Sequence, residues 1–478
     1  MGDAGDIDIG WETVKGLVAK FIMAGTGFAG VVVFTRTVGK GDFGGVYLLL
    51  SLVMIAIDPI RGFGQAVRKR WSETDARERE ILGAALLASG GATLIVAIVV
   101  RLARGPLADY TGLPGSWLLF VALFASLGVF VPFQQAIGAM GHPSKQTWND
   151  ALRSLVTLPA QVGLILAGLG ALGIGYGLAL ATAIAGGVGA IIVRRRPALP
   201  GREAVRSLYE YGRYSSLNAL IGKAYGSLDV LLLGFLLGTT PVANYETALR
   251  LTIPATFVPA VVSTALMPKV SNVIDRGGQF AEDVTNSLAY ASILAVPIFF
   301  GSLALPRQLT VTAFGPEYAE AGPYLVGLAL YQVVSSQVSI HFQTLSGMDL
   351  PEVGLRFNGV TLAFNVGVGV ALAVTYGPLG VVVATVLAET LRCGLMARAV
   401  ASRVDGVRVL PRPLWMQIVA GIVMYAAVSI AADAVVIASW FDLGIVVGIG
   451  AAVYGAVLIV VSPQTRLTVR SVYRDAVT

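Results

Sequence analysis

The sequence predicts an all-α polytopic membrane protein with about 14 transmembrane helices, arranged as two six-helix bundles followed by two C-terminal helices. The first observation behind this prediction is composition. Of the 478 residues, 55% are hydrophobic and only 13% are charged, whereas a soluble protein has about 25% charged residues. The mean hydropathy is +0.76. So few charged side chains cannot cover the surface of soluble domains, which excludes an ordinary cytosolic enzyme, a nucleic-acid-binding protein and a disordered scaffold.

The second observation is the spacing of the apolar segments. One crossing of a bilayer needs about 20 mostly apolar residues, and fourteen such segments follow one another along the chain. Only short loops and tails remain, so no soluble domain fits between them. The predicted spans are residues 14–35, 44–66, 81–101, 116–140, 152–170, 172–193, 214–237, 244–267, 285–305, 321–345, 357–376, 378–400, 413–432 and 441–462.

The third observation is the position of the basic residues. An even number of spans places both termini on one side of the membrane. If that side is the cytoplasm, 26 of the 34 Lys and Arg residues fall inside, five fall outside and three lie in or beside spans. Cytoplasmic loops are enriched in Lys and Arg, so the bias predicts a multi-pass cell-membrane protein with both termini cytoplasmic. The net charge of +6 then reflects topology and contact with anionic membrane lipids, and we expect no nucleic-acid partner.

An internal repeat divides the chain. The outer-loop stretch Gly39–Tyr47 resembles Gly238–Tyr245, and the loop residues Leu107–Tyr110 resemble Pro316–Tyr318 in the same order. Such matches predict a duplication of six spans with parallel topology, one of the repeat patterns of secondary transporters. The predicted domains are a first bundle at 1–205, a second at 206–405, and two appended helices with a cytoplasmic tail at 406–478.

Four stretches show a family resemblance: Phe34–Ser51, Ser227–Gly234, Phe314–Tyr318 and Leu345–Pro351. On these residues the chain resembles the polysaccharide and oligosaccharide flippases, within the MATE-like multidrug/oligosaccharidyl-lipid/polysaccharide exporter superfamily. The stretch Phe43-Gly-Gly-Val-Tyr47 has one Gly more than the usual family pattern, and we expect a local bend there.

The resemblance implies two six-helix bundles that face each other across a basic central cavity and open alternately to the two sides. Its implied cargo is a glycan linked to polyprenyl phosphate or pyrophosphate, moved from the cytoplasmic to the outer leaflet. The appended spans thirteen and fourteen favour this branch, because drug exporters of the superfamily more often have twelve. The resemblance therefore implies a transporter and not an enzyme, with no cofactor.

Six ionisable side chains deep inside predicted spans are the first candidates: Asp58, Arg61, Lys223, Asp229, Arg250 and Glu389. Each costs about 2.5–3.5 kcal/mol at the bilayer centre on insertion scales, so each needs a partner, water or a function. The candidates for binding a substrate phosphate are Lys223 at mid-membrane depth, Arg250 towards the outside and Arg61 towards the cytoplasm. Asp229 and Glu389 are the candidates for binding a coupling H⁺ or Na⁺.

Each candidate also has a structural interpretation. Arg61 is three residues from Asp58, and Glu389 is three residues from Arg392, so both can form pairs on one helix face. Lys223 can pair with a carboxylate such as Glu389, and Arg250 can extend to the outer interface.

Span ten contains further polar candidates. Gln332 and Gln337 suit a sugar-binding wall, because amides hydrogen-bond to hydroxyl groups, or they form hydrogen bonds between helices.

Two other functions are compatible with parts of the sequence. A cation-coupled small-molecule or drug antiporter of the same fold would use Asp229 and Glu389 for its cargo. A membrane-embedded transferase is disfavoured, because the outer loops are too short to hold a catalytic loop. Two His and one Cys exclude a His/Cys metal cluster, and the chain lacks the phosphate-binding loop of an ATPase.

Overall fold

The computed structural model describes residues 9–71, 77–141 and 143–462, without the side chains at 9–21, 143, 211, 213–215 and 217–225. Every element of regular secondary structure in this part of the chain is helical. The helices are α1 Ile9–Thr37, α2 Lys40–Trp71, α3 Glu78–Leu102, α4 Arg104–Thr111, α5 Ser116–Ala139, α6 Pro143–Leu164, α7 Leu172–Val193, α8 Arg202–Leu237, α9 Thr239–Thr252, α10 Phe257–Asp275, α11 Ala281–Ala291, α12 Ala295–Ala304, α13 Pro306–Phe314, α14 Ala321–Gly347, α15 Pro351–Tyr376, α16 Pro378–Ala401, α17 Arg412–Ala434 and α18 Trp440–Val461. Short π- or 3₁₀-helical turns adjoin them at Ile165–Leu169, Ile253–Thr256 and Pro316–Tyr318.

The predicted spans agree with these helices. Among the described residues, 12 helical segments are long and apolar enough to cross a membrane, and α1 and α8 add the shorter apolar segments Ile22–Thr37 and Gly226–Leu237. Each predicted span falls on one of these helices or on two consecutive ones. The all-α membrane fold is therefore confirmed, and fourteen holds as an approximate number of spans.

The junction of spans eleven and twelve shows how little sequence a turn requires. Helix α15 ends at Tyr376, and α16 begins at Pro378. Between them Gly377 has φ 66°, a conformation that glycine adopts without strain. Pro378 fits the first position of a helix because that position has no intrahelical use for an N–H group. The predicted loop Tyr376–Gly377–Pro378 is thus the observed one.

Contacts divide the chain into two compact units, Met1–Ala243 (unit 1) and Asn244–Thr478 (unit 2). Helix α9 crosses the boundary between them. The predicted repeat assigns α8 to the second bundle, whereas its contacts place it in unit 1, packed along α2. The duplication and its boundaries at residues 205 and 405 remain predictions.

Helices α2 and α8 form the most extensive helix–helix contact among the described residues of unit 1. A Cβ atom at Gly62 would lie 2.3 Å from the Cα of Ser216, and a Cβ at Gly234 would lie 2.1 Å from Cδ1 of Leu48. Neither position has room for a larger residue. The two contacts show that α2 and α8 run antiparallel, since Gly62 pairs with the earlier residue of α8 and Leu48 with the later one. The Ser216 hydroxyl also donates to the carbonyl oxygen of Pro59 at 2.8 Å.

Near the start of α2, this contact depends on two adjacent glycines, Gly44 and Gly45. A Cβ at Gly44 would lie 1.9 Å from the carbonyl oxygen of Thr239, and one at Gly45 would lie 2.1 Å from that of Thr111. Helix α2 continues through both glycines without interruption. The expected local bend is therefore wrong: the extra glycine allows two backbone segments to approach α2.

A hydrogen bond joins α4 to the same end of α8. The Tyr110 hydroxyl donates to the carbonyl oxygen of Leu231 at 3.0 Å. Burial raises the pKa of the Tyr110 phenol, so the group remains a protonated donor at neutral pH.

In unit 2, predicted span nine is broken into α11 and α12. The N–H groups of Ser292 and Ile293 both turn to the carbonyl oxygen of Tyr290, so they do not continue the helical ladder to Leu288 and Ala289. The predicted span 285–305 thus falls on two consecutive helices, which together form one segment long and apolar enough to cross a membrane.

A proline removes a third donor beyond the break. Helical geometry would pair the carbonyl of Ile293 with the N–H of residue 297, and that residue is Pro297. Proline has no N–H group. Side chains from other helices must therefore supply the donors near the break.

The amides of α14 and α17 satisfy the first carbonyls. Gln337 Nε2 donates to the carbonyl oxygen of Leu288 at 3.3 Å, and Gln417 Nε2 donates to that of Ala289 at 2.6 Å. The Ser292 hydroxyl donates to Gln417 Oε1 at 3.0 Å. All of these groups are buried, where an unpaired polar atom is costly.

Helix α18 supplies the last donor. The Tyr454 hydroxyl donates to the carbonyl oxygen of Ile293 at 3.2 Å, the carbonyl opposite the missing N–H of Pro297. The appended helices α17 and α18 thus stabilise the break in span nine directly.

We expect Tyr454→Phe to lower the thermal unfolding midpoint of the purified protein in detergent by about 1–3 °C. One buried carbonyl without a donor costs about 1–3 kcal/mol, and the entropy of unfolding of a chain of 478 residues is about 1 kcal/mol per kelvin. Tyr425→Phe is the control, because Tyr425 is exposed on α17. Equal midpoints for both variants would contradict the role assigned to Tyr454.

Candidate functional site

The pair Asp58–Arg61 lies on α2 beside the contact with α8. Arg61 Nη1 is 3.0 Å from Asp58 Oδ1, and Arg61 Nη2 is 3.2 Å from the sulfur of Met54. The Asp58 side chain is 7% exposed and that of Arg61 is 36% exposed. The predicted pairing on one helix face is present, and the guanidinium is its accessible partner.

Lys223 lies on α8, but its side chain is outside the described residues. The contacts between α2 and α8 nevertheless fix the level of its backbone. Lys223 follows Ser216 by seven residues and precedes Gly234 by eleven. On the antiparallel helix α2 this corresponds to seven residues before Gly62 and eleven after Leu48, which is the turn at 55–59. Lys223 therefore lies at the level of the turn that contains Asp58.

Asp229 is further along α8 and is 9% exposed. By the same interpolation it lies near residues 49–53 of α2, about two turns nearer the start of α2 than Asp58. Unit 1 thus contains Arg61, Lys223 and Asp229, whereas the other predicted site residues belong to unit 2.

Arg250 pairs with an acid that the sequence analysis missed. Its Nη2 atom is 3.4 Å from Glu246 Oε2, and the side chains are 32% and 9% exposed, respectively. The sequence signal was available, because Glu246 precedes Arg250 by four residues, a spacing that brings two side chains together on a helix.

Gln332 and Gln337 hydrogen-bond within unit 2. Gln332 Nε2 donates to Thr252 Oγ1 at 3.3 Å, and Gln337 donates to the break in span nine as described above. Their observed contacts match the helix–helix interpretation of these residues. A sugar-binding role for them remains a prediction.

Glu389 is 0% exposed and lies 2.5 Å from Arg392 Nη2, whose side chain is 14% exposed. Arg392 Nη1 is also 3.5 Å from Asn358 Oδ1. Arg392 and Asn358 line a cavity of about 290 Å³ with residues of α14. The sequence analysis recognised the pair but not the cavity.

The three pairs within predicted spans share one polarity. In Asp58–Arg61, Glu246–Arg250 and Glu389–Arg392 the carboxylate is 7%, 9% and 0% exposed, whereas the guanidinium is 36%, 32% and 14% exposed. In each pair the buried carboxylate positions the guanidinium group, and the guanidinium group is the more exposed partner. Such an arrangement suits an anionic or hydroxyl-bearing ligand better than a cation.

Among the described residues, no three His, Cys, Asp or Glu side chains come close enough together to hold a metal ion.

Comparison with known proteins places the chain in a family. The sequence profile described as "Polysaccharide biosynthesis protein" matches residues 33–323. The chain belongs to this polysaccharide biosynthesis family. The predicted family is thereby confirmed.

Two relatives of the chain come from Haloferax volcanii. The "Probable flippase AglR" is 26% identical over 376 residues, covering 77% of this chain and 78% of the relative. The "Probable low-salt glycan biosynthesis flippase Agl15" is 25% identical over 407 residues, covering 84% of this chain and 85% of the relative. Both relatives are described as probable flippases, in agreement with the prediction that the chain is a transporter and not an enzyme.

Solved structures agree on the fold. The lipid II flippase MurJ, described in an inward closed conformation, matches with a TM-score of 0.79 at 13% identity, over 97% of this chain and 100% of that one. A multidrug MATE transporter described as inward-facing matches with a TM-score of 0.61 at 17% identity, over 77% and 91%. The chain therefore has the MurJ/MATE-like fold.

We expect Arg392→Gln to lower the free energy of unfolding of the protein by about 3–5 kcal/mol, because it leaves the carboxylate of Glu389 buried without its cation. Thermal unfolding in detergent measures this effect.

The double variant Glu389→Gln/Arg392→Gln removes both charges and should recover most of the lost stability. Arg206→Gln is the matched control, since the Arg206–Glu210 pair is 81% and 50% exposed and exposed pairs contribute about 0–1 kcal/mol. A double variant as unstable as the single one would contradict a simple buried pair.

Proposed function

We propose that the protein is a flippase that moves a glycan linked to polyprenyl phosphate or pyrophosphate from the cytoplasmic to the outer leaflet of the cell membrane. Both termini lie in the cytoplasm in this proposal, and transport proceeds by alternating access around a basic central cavity. The relatives described as probable flippases support the class of function.

One observation carries the choice of cargo: the intramembrane pairs bury their acids and expose their guanidinium groups. A phosphate or pyrophosphate is recognised by charge-assisted hydrogen bonds, for which guanidinium is especially well suited. A cationic drug would require accessible carboxylates instead. The polarity of the pairs therefore favours the flippase over the cation-coupled drug antiporter.

The phosphate is proposed to meet Arg61 and Lys223 in unit 1 and Arg250 in unit 2. Arg61 is positioned by Asp58, and Lys223 lies on α8 at the level of that same turn. Gln332 and Gln337 remain candidates for sugar contact, although both amides already donate to protein oxygens.

Coupling to H⁺ or Na⁺ forms a separate part of the proposal. Glu389 is neutralised by Arg392 at 2.5 Å, so a coupling ion would have to displace that cation. Asp229, buried on α8, is the second candidate.

The test is deletion of the gene, followed by mass spectrometry of the lipid-linked glycans and complementation. We expect a polyprenyl-linked glycan to accumulate on the cytoplasmic side and the wild-type chain to clear it. Lys223→Gln should reduce clearance by roughly 10- to 100-fold, since a hydrogen bond to a charged group contributes about 1.5–3 kcal/mol.

Arg206→Gln is the matched control, because it removes a cation from the exposed start of the same helix α8. Suppose the lipid-linked pool is unchanged while sensitivity to cationic compounds rises. The drug-antiporter function then replaces the proposed one.

Asp229→Asn should abolish the dependence of transport on an imposed H⁺ or Na⁺ gradient in proteoliposomes, because an amide cannot release a proton and binds Na⁺ less strongly than a carboxylate. Glu210→Gln, an exposed substitution on the same helix, serves as control. Gradient dependence that persists in Asp229→Asn would remove Asp229 from the coupling step.

A further inference from the structure

Helix α14 has a polar face that is distinct from the face that supports span nine. Ser335, Ser339 and Phe342 are four and three residues apart, so they lie on one side of the helix. Gln337 points elsewhere, since its amide donates to the carbonyl of Leu288 on α11. The two faces of α14 therefore have different neighbours.

The face with the serines lines the cavity of about 290 Å³ in unit 2. Asn358 of α15 and the residues Arg392 and Met396 of α16 complete its wall. Seven residues separate Asn358 from the start of α15, and nine separate Arg392 from the end of α16. At about 1.5 Å per residue, the cavity lies roughly 10–14 Å from the helix ends that the charge bias assigns to the cytoplasm.

The polar groups of this cavity are positioned by their neighbours. Glu389, fully buried behind Arg392, holds one guanidinium nitrogen at 2.5 Å, and Asn358 Oδ1 lies 3.5 Å from another. The hydroxyls of Ser339 and Ser263 are 2.6 Å apart. Groups fixed in this way lose little conformational entropy when a ligand binds.

The chemistry of the wall matches a hydroxyl-bearing ring. Serine hydroxyls donate and accept, the asparagine amide does both, and the guanidinium donates in a planar fork. Phe342 and Met396 provide apolar surface for carbon–hydrogen groups. A few convergent polar groups on a partly apolar wall are typical of small-molecule sites.

Size and charge restrict the ligand further. The volume is at the lower end of the roughly 300–1,000 Å³ of ligand pockets, so it admits one sugar ring and not a whole oligosaccharide. Among the three intramembrane guanidinium groups, that of Arg392 is the least exposed and has the shortest contact with its carboxylate, that of Glu389, so its attraction for a phosphate is the weakest of the three. The same carboxylate is 0% exposed and cannot contact a cation in the cavity.

We propose that this cavity, with Ser335, Ser339, Asn358 and Arg392 as its polar groups and Phe342 as its apolar wall, binds one uncharged sugar residue of the transported glycan. The proposal rests on the proposed function for the origin of the sugar, but the site itself stands on the geometry of unit 2. It separates recognition of the sugar from recognition of the phosphate, which is assigned to other residues.

The test uses the full chain in lipid nanodiscs and the methyl glycosides of glucose, galactose, mannose and N-acetylglucosamine as probes. Saturation-transfer difference NMR measures binding of each probe. We expect at least one glycoside to bind, and Asn358→Leu to weaken it by about 5- to 10-fold through the loss of one or two hydrogen bonds.

Thr361→Val is the matched control, because Thr361 is buried one turn further along α15, donates only to the backbone carbonyls of Phe357 and Asn358 in its own helix and does not line the cavity. Ser335→Ala, a smaller change, provides a second test where Asn358→Leu fails to fold. The proposal is overturned if no glycoside binds, if neither cavity variant weakens binding, or if inorganic phosphate competes with the glycoside for the site.

A parallel assay separates this inference from the proposed function. Proteoliposomes containing a polyprenyl-phosphate-linked monosaccharide report translocation by the same variants. If the wild type translocates this lipid while Asn358→Leu binds and translocates equally well, the sugar site is refuted and the flippase stands. If the wild type binds a glycoside through Asn358 but translocates nothing, the site stands and the flippase is refuted.

Discussion

In a hydrocarbon layer a backbone carbonyl that loses its helical donor must find another donor within the protein, because no water is present to replace it. The break in span nine obeys this constraint. Its freed carbonyls receive N–H or O–H groups from α14, α17 and α18. The helix pair at the C-terminus is therefore an integral part of unit 2. A chain without α17 and α18 would expose the carbonyls of Ala289 and Ile293 to lipid.

The same constraint explains why charged side chains within the predicted spans form pairs. An isolated ion in the membrane is expensive, and pairing reduces the cost. Each of the three intramembrane pairs is built within one helix, at a spacing of three or four residues. Local pairing lets a helix insert without waiting for a partner helix. Because the acid is the buried member each time, the pairs lower the cost of insertion and still leave a partly exposed guanidinium group.

The fold could be predicted from the sequence to the extent that the membrane dictates it. Bilayer thickness sets the length of an apolar segment, so hydropathy located the spans, and Gly377–Pro378 marked a turn by its own backbone chemistry. Mean hydropathy does not detect a break such as Ser292–Leu294, although Pro297 indicates that one backbone donor is missing. Local pairs were also predictable from spacing, and Glu246–Arg250 shows that the rule must be applied to every acid. The α14–α16 cavity could not be predicted, because Ser335, Asn358 and Arg392 are brought together only by the packing of three helices.

The partnership of Pro297 with Tyr454 has an evolutionary consequence. The predicted duplication matches span nine with span three, yet α3 runs uninterrupted from Glu78 to Leu102 and contains no proline. In the predicted duplication, the second half is followed by the two helices α17 and α18. If the Tyr454 hydroxyl is present first, a proline at position 297 leaves the carbonyl of Ile293 with a donor. If the proline comes first, that carbonyl has lost its helical donor before Tyr454 can replace it. Among descendants of this chain, the two positions should therefore change together, and a lineage that loses the last helix should also lose the proline.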